Sequence, residues 1–151
     1  MKSYLVIMIP AFILVLASCN SQDISAEKVP SVIRNKVNEK YPAAQQVEWT
    51  RNKDLYEAEV HLNDSVDASL QLSATGDVLM QKSDIIHSNI PREILLLLQE
   101  KYSGYQVDDV EVLEIAGKNY YQVELEAKGK KDLQLVLSPS GEEQEHIKYW
   151  D

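Results

Sequence analysis

The chain has 151 residues, of which 44% are hydrophobic and 26% charged, and carries a formal net charge of −9. Those proportions belong to an ordinary globular protein, and the acidic balance excludes nucleic-acid binding, which needs a basic surface against the phosphates. Cys19 is the one cysteine, so the body that follows it has neither a disulfide nor a thiol nucleophile.

Residues 1–18 come first in chain order. Lys2 gives a short basic start, residues 4–15 are apolar apart from Pro10, and Leu16-Ala17-Ser18-Cys19 closes the run. This is the pattern of a secretory signal ending in a lipobox, with Cys19 acylated as the first residue of the exported chain. The run is shorter than the roughly 20 apolar residues that a membrane-spanning helix requires. Residues 19–28 are small, polar and charged, which predicts a flexible tether between lipid and fold.

A first helix is predicted over 30–41, because Pro30 suits a first helical position and Pro42 stops the run. Val29, Ile33, Val37 and Tyr41 fall on one side, while Arg34, Lys36, Asn38 and Lys40 take the wet side. Four strands follow, at 45–50, 55–62, 66–73 and 78–83, joined by polar or glycine-bearing turns. The second helix, 91–102, repeats the stripe as Ile90, Ile94, Leu98 and Tyr102. It adds Leu95, Leu96 and Leu97, so it is apolar nearly all round and is expected to be wedged between two halves. Its strands are predicted at 107–115, 120–127, 132–138 and 142–148.

The two halves are written in one order. Val29-Pro30 matches Ile90-Pro91, Tyr41 matches Tyr102, Tyr56-Glu57-Ala58-Glu59-Val60 matches Tyr121-Gln122-Val123-Glu124-Leu125, and Gly76 matches Gly141. The offset is 61 residues at the prolines and 65 at the tyrosines and glycines, so one four-residue insertion accounts for the drift. Alternation turns Trp49, Tyr56, Ala58, Val60, Leu70, Leu72, Tyr121, Val123, Leu125 and Leu135 inward. The fold class is α+β: two tandem helix-plus-four-strand repeats, 29–88 and 89–151, making one domain with an antiparallel sheet of about eight strands and helices on one face.

With Val29-Pro30, Tyr41-Pro42-Ala43-Ala44, Trp49, Tyr56-Glu57-Ala58-Glu59 and Gly76 in place, the sequence resembles the PepSY-like, β-lactamase-inhibitor-protein-like (BLIP-like) lipoproteins of the Bacteroidetes type. The likeness runs over 29–148. The second repeat departs from it, with Tyr102-Ser103-Gly104-Tyr105 in place of Tyr-Pro and no equivalent of Trp49. The resemblance implies export to the cell envelope, facing the periplasm or the exterior, and a binding or inhibitory role without catalysis. It supplies no site residues.

Candidate sites come from the residues themselves. Gly-x-Ser-x-Gly, His-Glu-x-x-His, a phosphate-cradling loop and a cysteine nucleophile are all missing from the sequence, so no catalytic residue is assigned. Glu57, Glu59, Glu124 and Glu126 share the outward face, where paired acids could bind a divalent cation; keeping a half-exposed sheet soluble is the plainer role. The segment 63–67 lacks the central Gly and closing Glu of a calcium loop and reads as a polar turn. No metal site or cofactor is expected. The expected contact face for an envelope or secreted protein is Glu57, Glu59, His61, Tyr120, Gln122 and Glu124, on a monomer held at the membrane by Cys19. Tyr149 and Trp150 are expected to pin the end of the chain against the fold. A cation-sensing module and a hydrolase with a concealed acid–base pair are the alternatives.

Overall fold

The structure, a computed structural model, describes residues 21–63 and 66–151. The expected signal peptide at 1–18 and the acylation site Cys19 lie outside the described residues, as do Asp64 and Ser65 in the polar turn. Among the described residues the chain forms two helices and eight strands: β1 (Gln22–Asp23), α1 (Ser31–Lys40), β2 (Gln46–Asn52), β3 (Leu55–Asn63), β4 (Val66–Ser73), β5 (Val78–Asp84), α2 (Arg92–Lys101), β6 (Gln106–Ile115), β7 (Lys118–Glu126) and β8 (Leu133–Leu137). The strands make one antiparallel sheet in sequence order.

Each helix starts after a proline whose φ, −52° at Pro30 and −55° at Pro91, is fixed by its ring. Each ends at a tyrosine whose N–H still bonds back four residues, Tyr41 to Val37 at 2.8 Å and Tyr102 to Leu98 at 3.0 Å. Ile33 and Val37 of α1 are fully buried against Trp49, Tyr56, Ala58, Val60, Leu70 and Leu72. Ile94 and Leu98 of α2 are buried against Val110, Val123, Leu125 and Leu137. Each such side chain contributes about 1.5–3 kcal/mol by leaving water, so burial rather than capping holds these short helices; neither has a side-chain cap.

The two cores are separate because β5 turns Gln81 and Ser83 toward the helix side at the junction, and Gln81 Nε2 donates to Glu114 at 2.8 Å. The second helix is therefore not wedged between halves. It lies over its own strands, with Leu95 and Leu97 against its own core and Leu96 44% exposed.

Two boundaries also differ from expectation. The tether is partly built into the fold: Gln22–Asp23 pairs with Arg51 and Thr50 of β2, and a 3-10 turn follows at Ala26–Lys28. Shifted by 61 residues, the same pairing is Ser83 and Asp84 of β5 with Val112 and Glu111 of β6, followed by a 3-10 turn at His87–Asn89. Thus each repeat begins with a strand before its helix, and β5 closes the first repeat while opening the second. At the other end, the strand expected over 142–148 is reduced to one bridge between Leu137 and Glu143. Glu142-Glu143-Gln144-Glu145-His146 lacks the alternation that would bury one side of an edge strand.

The four-residue insertion lies at a hairpin tip. Asn52 pairs with Leu55 across a two-residue turn, whereas the equivalent pair Leu113 and Tyr120 is followed by two further pairs, Glu114 with Asn119 and Ile115 with Lys118. Those added residues give β5 its partners Gln81 to Glu114 and Met80 to Ile115, which weld the halves into one sheet.

Candidate contact face

Register places Glu57, Glu59 and His61 of β3 and Tyr120, Gln122 and Glu124 of β7 on the side of the sheet away from the helices. On a flat sheet β3 and β7 would stand about 19 Å apart, four spacings of ~4.8 Å. Yet one residue reaches both. The main-chain N–H of Trp150 donates to Gln122 Oε1 at 2.9 Å, and its indole Nε1–H donates to Glu57 Oε1 at 3.2 Å. The sheet therefore curls toward this side and cups the segment that ends in Tyr149, Trp150 and Asp151.

That segment divides the face. Gln122 is fully buried; its Nε2 donates to Trp150 O at 2.9 Å and to Glu111 Oε2 at 2.9 Å. Lys82 donates to Trp150 O at 3.1 Å, pairs with Glu111 at 3.0 Å, and sets its ammonium 5.4 Å from the indole centroid. Gln134 donates to Asp151 at 3.1 Å. Leu113, directly across from Lys82 and Tyr120, is fully buried on this side. The expectation of one unobstructed contact face is therefore corrected: Gln122 is closed off, and Glu57 is half-buried and engaged. The pinning role expected for Trp150 is what its contacts provide.

Burial sets the electrostatics beneath. Desolvation raises the Glu57 carboxyl above its ordinary range, opposed by the indole hydrogen bond and Lys82. Desolvation likewise raises Glu111 despite Lys82, and raises Asp84 with help from Asp109 and Asp67. Tyr149 is pushed upward by burial and by the surrounding Glu111, Glu124, Asp109 and Asp151.

The half of the face formed by β2–β4 is different. Glu59 is exposed, directly opposite Glu48 on β2 and Ser69 on β4. His61 Nδ1 lies 3.2 Å from Asp67 Oδ2, and its Nε2 lies 4.0 Å from Glu48 Oε1. A cleft of about 400 Å³ beside it is lined by Asp23, Ser25, Glu48, Trp49, Glu57 and Glu59, among others. Tyr120 and Glu124 are half-buried at the margin of the other half, Glu124 across from Asp109 and Gln134. Among the described residues, three or more His, Cys, Asp and Glu side chains do not converge in a group suited to a metal ion. Among the same residues there is no helix long and apolar enough to cross a membrane.

Sequence reasoning missed Lys82, Glu111 and Leu113. Lys82 and Glu111 read as surface charges, and only their burial across the β5–β6 pair reveals them. An available signal was that Leu113 falls on the polar side of the alternation that turns Val110 and Val112 toward the helices.

A family model described as "Putative beta-lactamase-inhibitor-like, PepSY-like" matches the chain twice, over residues 15–80 and 78–143. The two matches overlap at 78–80, inside the strand that both repeats share. Among solved structures, a DUF2874 family protein from Bacteroides uniformis is 20% identical with a TM-score of 0.67, covering 76% of this chain and 85% of its own. A BLIP-like protein from Bacteroides fragilis is 24% identical with a TM-score of 0.63, over 76% and 82% of the two chains. One from Bacteroides eggerthii, described among "putative periplasmic proteins", is 16% identical with a TM-score of 0.68, over 76% and 85%. At these identities the likeness is one of fold. No curated protein matches the chain.

Proposed function

Because the chain belongs to the PepSY-like, beta-lactamase-inhibitor-like family, we propose that it is an exported binding module of the cell envelope that captures a protein with a basic surface. Its contact surface is the uncovered half of the sheet, and no catalysis is assigned to it. The observation that carries this reading is the juxtaposition of Glu48, Glu59 and Asp67 around His61 on a rigid sheet, with Glu57 at the edge. A surface of one sign attracts and orients a partner of the other sign. Export is supported by the signal pattern at 1–18 and by the periplasmic description of the Bacteroides eggerthii relative; acylation at Cys19 would keep the module at the membrane.

Photocrosslinkers placed at Glu59 and His61 in intact cells test this, with Asn35 on the exposed side of α1 as control. The expected result is one envelope or secreted protein trapped from the sheet positions and not from Asn35. The combined Glu48→Lys and Glu59→Lys substitutions should lower its capture about tenfold or more. Equal trapping from Asn35, or capture indifferent to both charge reversals, refutes the reading.

A further inference from the structure

Trp150 is held at its main chain and at its ring alike. The side-chain amide of Gln122 bonds both its main-chain N–H and its C=O, each at 2.9 Å. That pair of contacts reads an extended main chain whatever side chain it carries. Selectivity comes from the neighbours: Glu57 accepts the indole N–H, the Lys82 ammonium lies over the ring, and Gln134 bonds the acid that follows. The groups that hold the segment are the polar Gln122, Lys82, Glu111 and Glu57, with Leu113 and Val136 buried on the same side, while both helix-covered cores lie on the opposite side. Apart from Leu113 and Val136, emptying this seat bares groups that water can satisfy, and neither helix-covered core is opened.

We propose that this seat is a peptide-binding groove, that its ligand is an extended segment of a partner protein bearing tryptophan followed by an acidic residue, and that Trp150 and Asp151 are an internal competitor occupying it. The equivalence of the repeats supports this assignment. Gln122 and Glu57 hold corresponding positions, and Trp150 bridges them. The groove shares only Glu57 with the acidic half-face, and peptide binding to purified protein tests it whether or not that half-face captures anything.

The probe is a fluorescein-labelled peptide of sequence Ile-Lys-Tyr-Trp-Asp, that of residues 147–151, titrated by anisotropy into the purified full chain and its Trp150→Ala variant. The variant should bind at least tenfold tighter than the unaltered protein, because its own competitor is gone. Adding Gln122→Ala should reverse that gain, and a peptide with alanine for tryptophan should not bind. Equal affinity for the two proteins overturns the proposal. If circular dichroism shows Trp150→Ala to be unfolded, hydrogen exchange on the unaltered chain decides. Trp150 main-chain and indole protons exchanging at least a hundredfold faster than the amides of Leu70 and Val123 support a displaceable occupant, and exchange together with them refutes it. A dimer of the unaltered chain that Gln122→Ala dissociates puts a second copy in the groove and overturns the assignment to a partner protein.

Discussion

The two repeats share their turns to the level of individual atoms and differ in what lies over their outer faces. In the first, Ser73 Oγ meets Thr75 Oγ1 at 2.7 Å and accepts from the Asp77 N–H at 3.1 Å. In the second, Ser138 Oγ meets Ser140 Oγ at 2.8 Å and accepts from the Glu142 N–H at 3.1 Å. Beyond that shared turn the chains part. After Asp77 the backbone continues as β5 because β6 waits to pair with its second edge. After Glu142 there is no further strand among the described residues to pair with, so the chain bridges once. Glu143 accepts from Tyr102 at 2.8 Å and pairs with Lys101, and the backbone then crosses to the far side to settle on Gln122. Closely similar turns thus lead to different structures when the available partners differ.

The strongest way to break the comparison is in the cores. Ile33→Ala and Ile94→Ala remove equivalent, fully buried side chains, one from each helix. Each should cost about 2–5 kcal/mol of unfolding free energy in denaturant melts. Both should preserve a single transition, because β5 belongs to both halves. Two separated transitions in either variant would show that the polar junction fails to couple them.

A smaller effect sharpens the equivalence of the turns. Gly76 and Gly141 have φ of +88° and +83°, and an added Cβ would meet Val32 Cγ2 at 3.2 Å in one and Glu93 O at 3.3 Å in the other. Gly76→Ala and Gly141→Ala should each lower stability by about 1–2 kcal/mol, measured by the same melts. A cost confined to one of them would mean that the two helix-to-turn contacts are not equivalent.

The smallest expected effect concerns pH and separates the covered half of the face from the rest. Glu57, Glu111 and Asp84 are raised, so the folded chain holds their protons more tightly than the unfolded chain does. Their contribution to stability is fully present below the unfolded values of 4.5 and 3.8 and is lost as pH rises through the folded ones. Glu143 works in the opposite sense: Lys101 and Tyr102 lower it, and its contribution is lost as pH falls below 4.5. The melting temperature should therefore rise on mild acidification from neutrality and fall again below that range. Glu111→Gln should flatten the first limb and leave the second. A melting curve that falls steadily from neutrality would contradict this account of the buried acids.

Much of the fold was legible because alternation and helical stripes repeat at a constant offset. Trp49, Ala58, Leu70, Val123 and Leu125 all point where their spacing places them. The contact face was less legible. Gln122 follows the polar phase of β7 and reads as an outward residue, yet its amide is satisfied by Trp150, 28 positions further along the chain. The two-residue pairing of Gln22–Asp23 escaped notice for a related reason: it is too short to alternate, and its meaning emerges only from the matching pair Ser83 and Asp84.

The sequence by itself determined the duplication, the side of each strand that faces a helix, and the acidic character of the other side, since these follow from residue order and the pitch of strands and helices. Tertiary structure decided which part of that side stays uncovered. The curl of the sheet and the loss of an outer partner for residues 142–148 send Trp150 onto Gln122 and Glu57. Contacts between positions so far apart depend on the curvature of a whole sheet, a property that no local pattern of residues encodes.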